Sequence, residues 1–296
     1  MDARVLRTPL QKLLYGASIE ITPKAAAALR KGDLQSMFPG CRKVFVTMLA
    51  NSTLEETLQT CQLVTSEGHV AVPHLCARSL ASERQLLEAL ERCHLLGVRE
   101  YLCIGGGQRN AVGPFTKARD ILGPILSMPD LQGVHFAGHP EGHPHVKSEL
   151  MVAALVDKIM TVGNRVECRV YTQFCLDVAP IQSWAEEVRL QCVSAGLPED
   201  RLQVVVGLAG PAKLQTLLKF AATTAGFVES ARFLSHHKEK SLSLLMIQNP
   251  NEMLYQLVKL QQDRLASVNG IHFYPFGGVE ACCRWLKEIQ EQNTLV

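Results

Sequence analysis

The chain has 296 residues, 47% of them hydrophobic, enough for one large core or two small ones. A net charge of +2, with Lys and Arg scattered, argues against a nucleic-acid partner. No apolar run reaches about 18 residues and no signal-type segment is seen, so no membrane span is expected. The ten cysteines form no C-x-x-C pair and mostly sit in apolar runs, which predicts buried, reduced thiols in an intracellular protein.

Strand and helix patterns alternate along the chain. The first strand is expected over 17–21, with Thr22 capping and Pro23 opening a helix over 24–31. The second, 43–47, precedes the capping box Thr53-Leu-Glu-Glu56 and a helix to about Ser66. The third, 71–74, precedes a helix over 82–96, whose Leu86, Leu87, Leu90, Cys93 and His94 fall at helical spacing. The fourth, 101–104, ends in Gly105-Gly106-Gly107 and leads to a helix over 116–127. The fifth, 134–137, runs into a turn dense in Gly, His and Pro, then a helix over 146–161. The sixth, 169–174, is followed by a helix over 181–195; after the seventh, 203–207, Pro211 starts a helix to Ala222. Helices over 224–234 and 251–267, an eighth strand over 271–274 and a last helix over 279–292 complete the pattern.

Eight short apolar strands alternating with helices predict a parallel sheet covered on its outside. Their number favours a closed (β/α)8 TIM barrel over an open doubly wound sheet. The expectation is one barrel domain spanning 1–296, with 1–14 as an N-terminal extension. Lys238-Glu239-Lys240 reads as a solvated loop.

In such a barrel the strand ends share a mouth, so Glu20, Thr47, His74, Gly105–Gln108, His139–His145, Gln173, Gly207 and Tyr274 are the candidates. Glu20 is flanked by apolar residues, where a carboxylate is costly unless paired or protonated; a raised pKa would suit a general acid. Its bland alternative is a strand residue facing solvent or bonded to a neighbour. His74 reads equally as a core histidine bonded to backbone. The three glycines can present N–H groups to a phosphate but carry neither common phosphate-loop pattern. His139, His143 and His145 invite a metal, yet Pro140 and Pro144 break any helical register and H-E-x-x-H is absent, so no metal is expected. Gln173 could read a heterocycle through its amide or bond inside the barrel; Tyr274 could stack on a ring or plug the barrel.

Taken in order, these motifs resemble the methylenetetrahydrofolate reductase family, over about residues 17–278. Ser18-Ile-Glu-Ile-Thr-Pro23 is similar to the family's F-E-F-F-P-P, and Pro73-His74-Leu75 matches its P-H-L. The stretch 138–148, GHPEGHPHVKS, resembles Y-P-E-x-H-P-E-A-K-S. Thr172-Gln173-Phe174 with Asp177 resembles T-Q-F-F-F-D, and Ile271-His-Phe-Tyr274 resembles F-H-F-Y. The stretches 173–184 and 207–215 look like a short, divergent bacterial-type branch.

The resemblance implies a barrel that binds FAD through Thr47, His74, Gly105, Gly106, Gly107, His139, Glu141, His143 and Lys158. Gln173, Gln215 and Tyr274 would meet the folate, and Glu20 would be the general acid. The implied reaction interconverts 5,10-methylenetetrahydrofolate and 5-methyltetrahydrofolate with NAD(P)H, in the cytoplasm. Two departures stand out. The family's R-G-D aligns with Gly105-Gly106-Gly107, so the Asp near the flavin pyrimidine edge is missing; its loss should favour anionic reduced flavin and raise the midpoint potential. The Tyr of Y-P-E is His139. The chain length leaves no room for an appended regulatory domain, so control by S-adenosylmethionine is not expected. Apolar outer helix faces allow a homo-oligomer. The alternatives are a metal-dependent barrel hydrolase using the histidines with Glu141, and a non-catalytic folate-binding barrel.

Overall fold

A computed structural model describes residues 8–30, 32–37, 41–49, 52–143, 146–175, 177–223, 247–248, 250–262, 268–276 and 278–292. Its strands are β1 (Ser18–Ile21), β2 (Lys43–Val46), β3 (Val70–Cys76), β4 (Glu100–Ile104), β5 (Gly133–Gly138), β6 (Arg169–Phe174), β7 (Gln203–Ala209), β8 (Ala212–Lys213), β9 (Ile247–Gln248) and β10 (Val268–Tyr274). Eight of them close into a parallel barrel in the order β1-β10-β7-β6-β5-β4-β3-β2. This is the (β/α)8 barrel that the alternation predicts. The remaining two, β8 and β9, form a small antiparallel pair that the sequence pattern did not suggest.

The helices are α1 (Pro9–Leu14), α2 (Pro23–Ala26), α3 (Asp33–Met37), α4 (Leu54–Ser66), α5 (Glu83–Leu95), α6 (Leu122–Leu126), α7 (Ser148–Val162), α8 (Val178–Ser194), α9 (Leu214–Thr223), α10 (Asn251–Gln262) and α11 (Val279–Gln292). Local chemistry sets their starts. Thr53 and Glu56 make the expected capping box at α4: Thr53 Oγ1 accepts the Glu56 N–H at 3.1 Å and Glu56 accepts the Thr53 N–H at 2.7 Å. Thr8 and Gln11 cap α1 the same way, and its Leu10, Leu13 and Leu14 are buried. On α5, Leu86, Leu90 and Cys93 are buried whereas Leu87 is exposed.

Three helices differ from expectation. The segment after Pro23 leaves the α-helix at Ala26, tightens into turns to Leu29 and breaks at Gly32, whose φ of +89° ends any helix. The expected helix over 116–127 begins as a 3₁₀ turn, Ala118–Ile121, because the Asp120 carboxylate gathers the Thr116 and Lys117 N–H groups at 2.8 and 3.1 Å. Its α-helical part starts only at Leu122, which leaves Pro124 in a first turn that does not need its missing N–H. After Pro211 the chain pairs as β8 before α9 starts at Leu214. The expected helix over 224–234, the end of the helix toward Ser267, the Lys238–Lys240 loop and His145 lie outside the described residues.

Contacts group the chain into two compact units, Ser18–Ala137 with Thr161–Arg169, and Met1–Ala17 with Gly138–Met160 and Val170–Val296. In the first, the parallel register pairs Glu20 with Phe45, Phe45 with Val72, His74 with Leu102, Leu102 with His135, and Glu100 with Gly133. Alternate residues of a strand share a face, so Lys43, Phe45 and Thr47 stand on the same side of β2 as Glu20, His74, Glu100 and His135 on theirs. The opposite faces carry Val44, Val46, Ala71 and Cys103, all buried. In the second unit a small core of Phe174, Ala212, Leu214 and Leu217 packs with Ala209, Tyr274 and Phe276. All cysteines but Cys168 are buried, as expected, and burial pushes the thiols of Cys41, Cys76 and Cys93 up to about 12.

Candidate active site

In the first unit, Glu20, Thr47, His74 and the glycine turn all stand at or just beyond the carboxyl ends of their strands. Glu20 is half-buried, and its Oε2 lies 3.5 Å from His74 Nε2. His74 is 8% exposed and meets the Phe45 ring edge-on, with centroids 6.2 Å apart. Thr47 continues the register beside His74; its N–H bonds to the Ile21 carbonyl at 3.0 Å. Its hydroxyl is buried and has no hydrogen-bond partner among the described residues. A buried polar atom left so is costly unless a ligand completes it.

The glycine turn follows β4. Gly106 needs its freedom: its φ is +91°, and a Cβ there would stand 3.2 Å from Cys76 Cβ. Nothing lies within 4 Å of a Cβ built on Gly105 or Gly107. The turn is fixed to the end of β3. The Arg78 N–H bonds to the Gly105 carbonyl at 3.0 Å, and its guanidinium donates to the carbonyls of Thr116 at 2.8 Å and Gln108 at 3.2 Å.

The other end of the same sheet face carries charges that belong to no sequence motif. Lys43 Nζ lies 2.7 Å from both Glu100 Oε2 and Glu167 Oε2, and Arg169 pairs with Glu167 at 2.6 Å. His135 is fully buried; its Nδ1 accepts the Arg169 N–H at 3.3 Å, so its proton sits on Nε2 and is donated to Glu100 at 2.8 Å. Burial opposes ionising Glu100, but the hydrogen bond from His135 and the charge and hydrogen bond of Lys43 win and hold its pKa at about 2. Burial lowers the pKa of His135 and keeps it neutral. Glu100, His135 and Glu167 are the one group among the described residues spaced to share a metal ion. Lys43 already fills the cation's place between the two carboxylates. Gly133 makes the room, since a Cβ there would stand 2.9 Å from the His135 ring. Such residues at the amino ends of barrel strands serve stability.

In the second unit, the turn after β5 is closed by the Gly142 N–H on the His139 carbonyl at 3.0 Å, and the rings of His139 and His143 meet edge-on at 6.2 Å. Burial, then the nearby His143 and Lys158, hold His139 neutral with a pKa of about 4. Glu141 hydrogen-bonds the buried Cys175 thiol, whose pKa is raised by burial first and then by that carboxylate. Gln173 on β6 is half-buried, and its carbonyl accepts the Thr172 hydroxyl at 2.8 Å. Tyr274 donates its hydroxyl to the Thr172 carbonyl at 2.9 Å and its ring stacks on Phe276 at 5.8 Å and 9°. Gly207 lets that ring pass, since a Cβ there would be 2.6 Å from it. Tyr274 is therefore held within the protein, and Phe276, two residues on, is the aromatic face that the sequence reading overlooked. Gln215 faces solvent in the first turn of α9, beside the buried Leu214.

The methylenetetrahydrofolate reductase family model matches residues 32–221, more than half of the chain. The chain belongs to that family. As a family member it also shares its fold with solved barrels of low identity. A protein from Clostridium thermocellum, described as binding two copies of 5-methyl-5,6,7,8-tetrahydrofolic acid, matches with a TM-score of 0.60 and 13% identity, over 96% of this chain and 98% of that one. Riboflavin lyase, solved with modified FMN and riboflavin, matches with a TM-score of 0.56 and 8% identity, over 95% of this chain and 92% of that one. The family match covers Thr47, His74, the glycine turn, His139 to Lys158, Gln173 and Gln215, and stops short of Glu20 and Tyr274.

Proposed function

We infer that this family member is a flavin-dependent methylenetetrahydrofolate reductase of the cytoplasm, acting on a one-carbon folate with NAD(P)H. The observation that carries the reading is the buried, unsatisfied hydroxyl of Thr47 beside the Glu20–His74 pair, on a chain of this family. The residues suit FAD. Thr47 offers a hydroxyl in need of a partner, and the backbone beside Gly105 and Gly107 borders open space. His139, kept neutral, offers one donor and one acceptor without a charge to neutralise. Bound FAD would supply the hydride relay between nicotinamide and folate.

The chain's own residues then have separable tasks. Glu20 holds a proton for the folate nitrogen whose protonation opens the five-membered ring. Gln173 can pair with the folate heterocycle through its amide. Gln215, on an exposed helix turn, and Tyr274, anchored by Thr172, would border the same ligand. Lys158 and His143 can offset negative charge on the cofactor, with His139 and Glu141 completing the turn.

A second reading is a folate-binding barrel without redox chemistry, favoured by the folate ligand described for the Clostridium thermocellum protein.

One experiment tests the reading. Protein loaded with FAD is reduced anaerobically with NADH, NADPH and methyltetrahydrofolate in turn. Bleaching by a nicotinamide and by the folate is the outcome required. Glu20→Gln should leave the nicotinamide step nearly intact and slow the folate step by about 10²-fold or more. Protein that binds folate but never flavin selects the second reading.

A further inference from the structure

Glu20 sits next to a group that can refill it. Its Oε2 is 3.5 Å from His74 Nε2, and the two side chains are only 20% and 11% exposed. We propose that His74 is the proton-exchange partner of Glu20, returning to the carboxylate the proton that Glu20 gives to substrate. The proposal rests on reading Glu20 as the acid. The Nε2–H bond of the His74 imidazolium breaks as the O–H bond on Glu20 forms, leaving neutral imidazole, which then takes up from a solvent acid the one proton that the folate nitrogen consumes. No charge accumulates over a turnover.

The surroundings favour this role. A separation of 3.5 Å is slightly beyond the usual hydrogen-bond range; catalytic contacts commonly tighten by such amounts once a ligand binds. The ring is held edge-on by Phe45 and lies beside Leu102 in the register, so the pair interacts through a poorly screening medium. Around His74, β1 presents Glu20, β2 presents Phe45 and Thr47, and β4 presents Leu102. On its own strand the Cys76 thiol donates to the Met48 carbonyl, and burial keeps it protonated with a pKa of about 12. Glu20 is the carboxylate that β1 presents to His74.

His135 supplies the contrast. It lies on the other side of Phe45, at 6.3 Å, on the same sheet face. Both of its nitrogens are committed, one to the Arg169 N–H and one to Glu100, so it cannot trade protons. The loop after β4 provides no substitute either, since Gly105-Gly106-Gly107 carry no titrating side chain.

The test follows the imidazole of His74 by NMR as a function of pH, in the purified chain without folate. Replacing the carboxylate by Glu20→Gln removes the charge that favours imidazolium, so the His74 pKa should fall by about one unit or more. Equal values in the two proteins overturn the proposal. In the second arm, His74→Gln keeps a hydrogen-bonding side chain that cannot titrate. Its folate half-reaction should lose the pH dependence seen in the wild type; an unchanged profile also overturns the proposal. Should His74 and Glu20 prove coupled in a protein that takes neither flavin nor folate, the reductase reading fails while the pairing stands.

Discussion

Three alternate residues along β2 and just beyond it span two different environments. Lys43 ends in a network where each charged group meets a partner of opposite sign. Thr47, four residues later on the same face, ends in a buried hydroxyl with no partner among the described residues. Phe45 lies between them, its ring touching His135 on one side and His74 on the other. The saturated end has nothing left to offer a ligand. The unsaturated end carries a cost that binding can relieve. The same sheet thus holds a saturated charge network at one rim and the proposed site at the other.

The largest expected effect breaks the saturated end. Glu100→Ala leaves the buried His135 N–H without an acceptor and Lys43 with one carboxylate, a loss of about 3–5 kcal/mol for a broken buried pair. Denaturant unfolding reads it; a loss below about 1 kcal/mol would show the network to be ornamental. The wild type should also be acid-sensitive. Glu100 has a folded pKa of about 2 against an unfolded 4.5, so its stabilisation is present above 4.5 and is lost as pH falls toward 2. His135, whose pKa is lowered from 6.5, acts in the same direction from that value downward. Glu100→Ala should flatten the steeper part of this dependence.

The difference between the two ends also explains what could be read in advance. Strand–helix alternation and turn chemistry are local, so the capping box at Thr53, the strand Arg169–Phe174 and the helix Val279–Gln292 were legible. Glu20, His74 and Gln173 could be named in advance because they sit in short motifs, and the juxtaposition of Glu20 with His74 follows from the strand order. The Lys43–Glu100–His135–Glu167 network was not, because its members are up to 124 residues apart and only the strand register unites them. Phe276 was missed because the motif ends at Tyr274, although an aromatic two residues on was a usable signal. The Thr22 cap and the Pro23 start of α2 were legible but its early end at Ala26 was not, and the pairing of Ala212–Lys213 was missed because it depends on a distant partner strand.

A smaller effect sharpens the ligand-binding end. Gly107 aligns with the family's missing Asp, and here a side chain has space: nothing lies within 4 Å of its Cβ position and its φ is not left-handed. Gly107→Asp should therefore fold normally, with stability within about 0.5 kcal/mol of wild type. A restored carboxylate near the flavin pyrimidine edge would disfavour anionic reduced flavin. The midpoint potential should fall by about 30 mV, equivalent to about 1.4 kcal/mol for two electrons. Potentiometric titration showing an equal or higher value would remove the missing Asp from the account of this site.

The smallest effect has opposite signs in the two measurements that read it. Thr47→Val replaces a buried, unpaired hydroxyl by a methyl of nearly the same shape, in the extended residue just after β2. Without ligand the variant should be more stable by about 1 kcal/mol, because the cost of desolvating the hydroxyl disappears. FAD affinity should weaken by about five- to tenfold, the worth of one hydrogen bond. A threonine with a purely structural role predicts the reverse pair, lower stability with unchanged affinity. Thermal unfolding and flavin titration on the same preparation decide between them, and with them whether the unsatisfied rim of β2 is where the cofactor docks.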